Sequence, residues 1–231
     1  MKLDLIEALQ IKKKDLQELL NREATLHGKL SWLFLPKNLQ NKVALVAHID
    51  TVHDDECDRE IITNKTDQTL WSPQGLGADD RAGVWTILNI FFSVPEIYRP
   101  IVLLTDMEEC GGLGAREAAD IFAEHLSRAI FFIELDRSGD RECVFYNSEP
   151  SDFVDYIESF GFSRNRGTFS DISIICSAVN RCGVNLSIGF HNAHTKKEYL
   201  NLMHMDNTRN ALPALLKDNY EKKKIWFLDT E

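Results

Sequence analysis

Three short stretches of this chain are wholly apolar: Val43-Ala44-Leu45-Val46-Ala47, Ile101-Val102-Leu103-Leu104 and Ala129-Ile130-Phe131-Phe132-Ile133. A strand with no polar face must be buried on both sides, which an open sheet achieves only when helices cover both of its faces. Residues 184–188 read as a further strand, and Cys143-Val144-Phe145-Tyr146 as another. Between them lie segments with helical spacing. Residues 81–92 carry Ala82, Val84, Trp85, Ile87, Leu88, Ile90 and Phe91, and Pro95 and Pro100 close them. Residues 115–126 are read as a helix, as is the run of Phe153, Tyr156, Ile157 and Phe160 that Gly161 ends, and residues 172–178 as helix or strand, with helix preferred. Leu3, Ile6, Leu9, Leu16, Leu19 and Leu20 predict one amphipathic helix at the start. Residues 61–71 read as a hairpin, and residues 198–220 as helical with an interruption at Pro213. The fold class expected is α/β: a three-layer α/β/α arrangement whose central sheet is mixed but mostly parallel. With no repeat and no linker-like tract, residues 1–231 are expected to form a single catalytic domain.

Composition narrows the function. The net charge of −10 over 231 residues argues against a nucleic-acid partner, which needs a basic face. No apolar run reaches membrane-spanning length and the first residues lack a signal-peptide core, so the expectation is a cytoplasmic protein with no membrane partner. Five cysteines, Cys57, Cys110, Cys143, Cys176 and Cys182, form no Cys-x-x-Cys pair and are read as free thiols. The aromatic residues Trp32, Trp71, Trp85 and Trp226 are expected in the core, and Lys222-Lys223-Lys224 on a solvated face.

Polar clusters follow the apolar runs. His48-Ile49-Asp50 comes first; ligands two apart on an extended chain face the same way, so His48 can offer a ring nitrogen while Asp50 orients the imidazole. His53, Asp54, Asp55 and Glu56 beyond it are read as solvated loop. Gly75-Leu76-Gly77-Ala78-Asp79-Asp80-Arg81-Ala82-Gly83 places two acids at a helix start, where an N-cap and a carboxylate bridging two metals are both plausible employment for them. Glu108-Glu109 precedes the glycine turn Gly111-Gly112; one such carboxylate can bind a metal while its neighbour moves a proton. Glu134-Leu135-Asp136 follows residues 129–133, and His191-Asn192-Ala193-His194 follows residues 184–188. Taken singly, the clusters read better as solvated turns or helix caps, and a histidine after residues 184–188 is as often packed or on the surface as a ligand. Their shared place is what carries weight, because ligands of open α/β sheets bind in the crevice at the strand carboxyl ends. Mixed imidazole and carboxylate donors suit zinc, with manganese or cobalt as substitutes, and exclude a thiolate structural site.

In this order the motifs His-x-Asp, Gly-x-Asp-Asp-x-x-Gly, Glu-Glu-x-Gly-Gly, Asp and His-Thr-x-x-Glu-Tyr resemble the co-catalytic di-zinc exopeptidases, which include peptidase T-like enzymes and single-domain zinc aminopeptidases. The resemblance covers roughly residues 43–200. It implies two Zn2+, with His48 and Asp136 on one, Glu109 and His194 on the other, and Asp79 shared. It implies Glu108 as general base and then acid, and Asp50 as the support of His48. The metal-bridged hydroxide of that group would attack the scissile carbonyl. The short stretch between Asp136 and His194 leaves no room for the lid domain that many relatives insert there. The activity expected is therefore a zinc-dependent exopeptidase, foremost an aminopeptidase on short peptides. An amide deacylase or dipeptidase, acting on N-acyl amino acids or dipeptides, would use the same centre. A silent metal-binding domain is the reading outside enzymology, and retention of Glu108 with a full ligand set speaks against it. Side-chain preference and oligomeric state leave no mark in the sequence.

Overall fold

The computed structural model describes residues 3–53 and 58–229. The apolar runs become the inner strands of an eight-stranded sheet. In chain order its members are β1 (Leu26–His27), β2 (Ser31–Phe34), β3 (Lys42–His48), β6 (Ile101–Thr105), β7 (Ala129–Arg137), β8 (Glu142–Val144), β9 (Ser163–Arg164) and β10 (Gly183–Ser187). Their spatial order is β1-β2-β6-β3-β7-β10-β8-β9. The four inner strands β6, β3, β7 and β10 run parallel. Strand β2 joins β6 antiparallel, and β8 joins β10 antiparallel. A second, wholly antiparallel sheet holds β4 (Ile62–Asn64), β5 (Thr69–Trp71), β11 (Phe190–His191) and β12 (Tyr199–Asn201), in the order β11-β12-β5-β4.

Alternation along the strands divides the core in two. Val43, Leu45 and Ala47 of β3, Val102 and Leu104 of β6, and Phe131, Ile133 and Leu135 of β7 point to one face. There they meet α1 (Leu5–Gln10), α2 (Lys13–Glu23), α3 (Ala78–Ser93), α6 (Ser151–Glu158) and α8 (Leu202–Lys222). Ala44, Val46, Ile101, Leu103 and Phe132 point to the other face and meet α4 (Leu113–Ile121) and α7 (Asp171–Val179), with Leu126 of the short α5 (Ala123–Leu126). Each fully buried Leu, Ile or Phe contributes on the order of 1.5–3 kcal/mol, which is why an inner strand without a polar position is stable only here.

Some expected elements are drawn differently. The first helix is two, broken at Ile11, whose extended φ/ψ of −59° and 130° frees its carbonyl to accept from the buried guanidinium of Arg81. Residues 115–126 likewise split at Phe122. Residues 199–201 form β12 rather than helix, because their backbone pairs with β5; Asn201 then caps α8 by accepting from the amides of Met203 (3.0 Å) and His204 (3.2 Å). Pro213 lies inside α8 without ending it. The lost amide and ring clash cost about 3 kcal/mol in an isolated helix, and burial of Leu212, Leu215 and Leu216 around it offsets that. Trp71 is exposed rather than core, since it lies on the outer face of the small sheet. Strand β2, with Trp32 and Phe34 buried, goes beyond the strands expected from the sequence. Residues 137–194, where a lid would be inserted, instead supply β8, α6, β9, α7 and β10 to the main layers and β11 to the small sheet.

Candidate metal centre

His48 is the last residue of β3, and Asp50 lies two beyond it. The imidazole is 1% exposed. Its Nδ1 faces Asp50, 3.3 Å from Oδ1 and 3.1 Å from the Asp50 carbonyl. Its Nε2 faces the other way, 3.4 Å from Asp79 Oδ1 and 3.3 Å from Asp136 Oδ1. The carboxylate of Asp50 also accepts from the amides of Glu108 (3.1 Å) and Glu109 (3.3 Å), so it ties the turn after β6 to the end of β3.

The second oxygen of Asp79, Oδ2, lies 3.2 Å from His194 Nε2, and Glu109 Oε1 lies 2.9 Å from the same nitrogen. Asp79 thus presents one oxygen to each imidazole. Asp80 turns inward instead, accepting from the amides of Gly83 (3.1 Å) and His48 (3.3 Å), and the peptide joining the two aspartates is cis. Asp136 occupies the carboxyl end of β7, its amide held by Asn185 Oδ1 at 2.9 Å. His194 sits in the loop between β11 and β12, one element further from the main sheet than the run 184–188 suggested. Potential ligand atoms gather within 4.8 Å in three overlapping groups: His48, Asp80 and Asp136; Asp79, Glu109 and His194; His48, Glu108 and Glu109.

Electrostatics follow from crowding acids at a partly buried strand end. Burial pushes Glu108 up to about 8 and Asp136 up to about 7, the neighbouring carboxylates adding to the rise and His48 opposing it. Glu109 rises for the same reasons, burial first and Asp79 next. Burial alone would lower His48, yet Asp136, Asp50 and Asp79 around it raise it well above the usual range. His194 is raised to about 9 by its bond to Asp79, aided by Glu109. Asp79 is held low: burial works against its charge, but the two imidazoles win.

Does this set fit cations? Glu109 Oε1 is buried and close to His194 Nε2, yet it has no hydrogen-bond partner, because the pair is out of line for one. With Asp79 the two residues offer ligand atoms that all lie within 4.8 Å of one another. Among the described residues no lysine or arginine pairs with Asp79, Glu108, Glu109 or Asp136. Four buried or half-buried carboxylates with the buried imidazole of His48 and the exposed one of His194, unpaired with any lysine or arginine among the described residues, are the donor chemistry that divalent cations satisfy.

Asp79, Glu108, Glu109, Asp136 and His194 open on a cleft of ≈ 330 Å³ whose far wall carries Arg137, Tyr146, Arg166 and Phe169. Arg137 is engaged by Glu142 at 3.0 Å. Glu134 stays behind the cleft, fully buried, accepting from the Ser170 hydroxyl and the Ile172 amide at the start of α7. The carboxylate of Asp171, the first residue of α7, accepts from the hydroxyl of Thr105. His191 pairs with the half-buried His204 at 3.0 Å. His53 is not solvated loop: its Nε2 meets Glu198 Oε2 at 2.7 Å, and Glu198 is buried. Asp54, Asp55, Glu56 and Cys57 lie outside the described residues. Glu198 went unassigned at the level of sequence although it stands in His-Thr-Lys-Lys-Glu-Tyr; nothing local marks an acid whose partners all come from other segments. The other four cysteines are free thiols, Cys110 exposed and Cys143, Cys176 and Cys182 buried. No helix among the described residues is long and apolar enough to cross a membrane.

No protein-family model matches the sequence, and no curated protein matches it either. Solved structures do match the fold. A tripeptidase from Staphylococcus aureus aligns with a TM-score of 0.67 at 16% identity, over 94% of this chain and 97% of that one. Aminopeptidase PepT from Bacillus cereus aligns at 0.66 and 14%, over 94% and 96%. The TET1 peptidase of Pyrococcus horikoshii, described as assembling into a tetrahedron or a large octahedral shell, aligns at 0.64 and 13%, over 92% and 99%. The chain shares the fold of these tripeptidase and aminopeptidase structures.

Proposed function

We propose that this chain is a metal-dependent exopeptidase, an aminopeptidase acting on short peptides. Two divalent cations, zinc by donor type, would be held by His48 and Asp136 and by Glu109 and His194, with Asp79 shared. The observation that carries this reading is Asp79, whose two oxygens face two different imidazoles at 3.4 and 3.2 Å. The cations when bound would supply Lewis acidity, polarising the scissile carbonyl and acidifying water. The protein's own groups do the rest. Asp50 holds His48 by Nδ1 and leaves Nε2 free to ligate. Glu108 lies beside Glu109 on the cleft wall and takes the proton of the attacking water, then delivers it to the departing amine. Its carboxyl, raised to about 8, binds a proton readily, and positive charge nearby would bring it back toward the ionised form a base requires. With four free thiols, the compartment we propose is the reducing cytoplasm.

A dipeptidase or amide deacylase is the second reading. Arg166 on the cleft wall suits a substrate with a carboxylate near the scissile bond, which dipeptides and N-acyl amino acids offer. A panel of free, N-blocked and N-acylated substrates separates the two. Glu108→Gln is expected to keep both metal equivalents by elemental analysis and to lose roughly 10²–10⁴-fold in kcat, the usual contribution of a positioned proton-transfer group. Full turnover by Glu108→Gln removes it from the mechanism.

A further inference from the structure

Nothing in the proposed chemistry uses Glu198, yet its carboxylate is 1% exposed and saturated with donors. Oε2 accepts from the Gly77 amide at 2.8 Å and from His53 Nε2 at 2.7 Å. Oε1 accepts from the Asp79 amide at 2.9 Å. Both amides precede the regular part of α3: Gly77 is left-handed at φ +69°, and Asp79 and Asp80 have non-helical φ/ψ. Asp80 caps the regular helix by accepting from the Gly83 amide at 3.1 Å, which leaves Glu198 to fix the irregular turn that carries Asp79.

What is held there matters more than the helix end. Asp79 is the residue facing both imidazoles, and its side-chain position follows the backbone that Glu198 bonds. Glu198 belongs to the same loop as His194. His53 lies just downstream of His48 and Asp50, with its ring against Gly75: a Cβ there would come within 2.3 Å of His53 Nδ1. Three site-bearing segments, around His48, Asp79 and His194, thus converge on one carboxylate. Two backbone amides and an imidazole nitrogen converge on it, which two anionic oxygens satisfy and an amide side chain cannot, because its NH2 would face a donor.

We propose that Glu198, with His53 behind it, is a positioning residue that sets Asp79 relative to His194 and thereby the cation affinity of the centre. It rests on the metal-centre reading above, and the test separates the two. Metal-free full-length protein is titrated with Zn2+ against a chromophoric chelator, and with Co2+ by its visible absorption, for wild type and Glu198→Gln. Wild type is expected to take up two equivalents. Folded Glu198→Gln is expected to bind at least one equivalent about 10–100-fold more weakly, the range seen when groups orienting metal ligands are removed, with an altered Co2+ spectrum. A carboxylate with a purely structural role lowers only the melting temperature of the metal-free protein. Unchanged zinc affinities and Co2+ spectrum in Glu198→Gln therefore overturn the proposal. Where that variant does not fold, His53→Ala carries the test: it leaves both amide bonds in place, a smaller loss of affinity supports the proposal, and none overturns it. Wild type that takes up no zinc removes the metal centre, and this proposal with it.

Discussion

At the scale of single residues, the centre is a problem of charge. Asp79, Glu108, Glu109 and Asp136 surround His48 and His194 with no cationic side chain pairing with the four acids among the described residues. In the metal-free protein protons take the place of that missing positive charge. Asp136 is pushed up to about 7, Glu108 to about 8 and His194 to about 9. A cation entering the proposed site would displace those on Asp136 and His194, because ligands must be deprotonated. Zinc affinity is therefore expected to rise with pH between about 6 and 9, with proton release at neutral pH. Calorimetric titrations in buffers of different ionisation enthalpy read that release directly; identical heats in every buffer contradict it. Sequence reading reached these residues through their chemistry. It missed His53 and Glu198, because a carboxylate that bonds distant amides has no local pattern.

At the scale of elements, close backbone approach sets the site. Gly83, in the second turn of α3, lies against β7: a Cβ there would sit 2.2 Å from the Leu135 carbonyl and 2.3 Å from Asp80 Oδ1. Neither is the end of a flexible side chain free to retreat, since Asp80 is bonded to the amides of Gly83 and His48. Gly83→Ala is expected to push α3 off the sheet and cost about 1–3 kcal/mol, the usual penalty of overpacking. Urea unfolding of the metal-free protein measures it, and a variant as stable as wild type rejects the fit. The inner strands and α3 were legible because burial on both faces, or all around, leaves continuous apolar runs. Strand β12 was not, because Tyr199-Leu200-Asn201 takes its conformation from pairing with β5. The breaks at Ile11 and Phe122 escaped for a similar reason: the periodicity runs through them, and the chain turns there for tertiary partners.

For the whole molecule, the acids behind and within the centre make stability depend on pH in a definite direction. Burial raises Asp80 and Glu134 well above the usual range, Asp171 to about 6 and Asp136 to about 7, and neighbouring acids raise His194 to about 9. Each binds more protons folded than unfolded, so the metal-free fold loses stability as pH rises from about 5 to 9. Asp79 and Asp50 are depressed and act in the opposite sense, only below about pH 4. Melting of chelator-treated protein is expected at a higher temperature at pH 6 than at pH 8.5, with added zinc reversing the order by neutralising the cluster. A metal-free melting temperature that climbs with pH refutes this. Apolar runs, helical spacing and the five polar clusters are properties of neighbouring residues, so the sequence alone determined the layered sheet and the types of donor at its strand ends. Which oxygen of Asp79 meets which imidazole, that Asp80 turns inward, and that Glu198 clamps the loop were decided only by the tertiary structure, because those contacts join segments that no local periodicity connects.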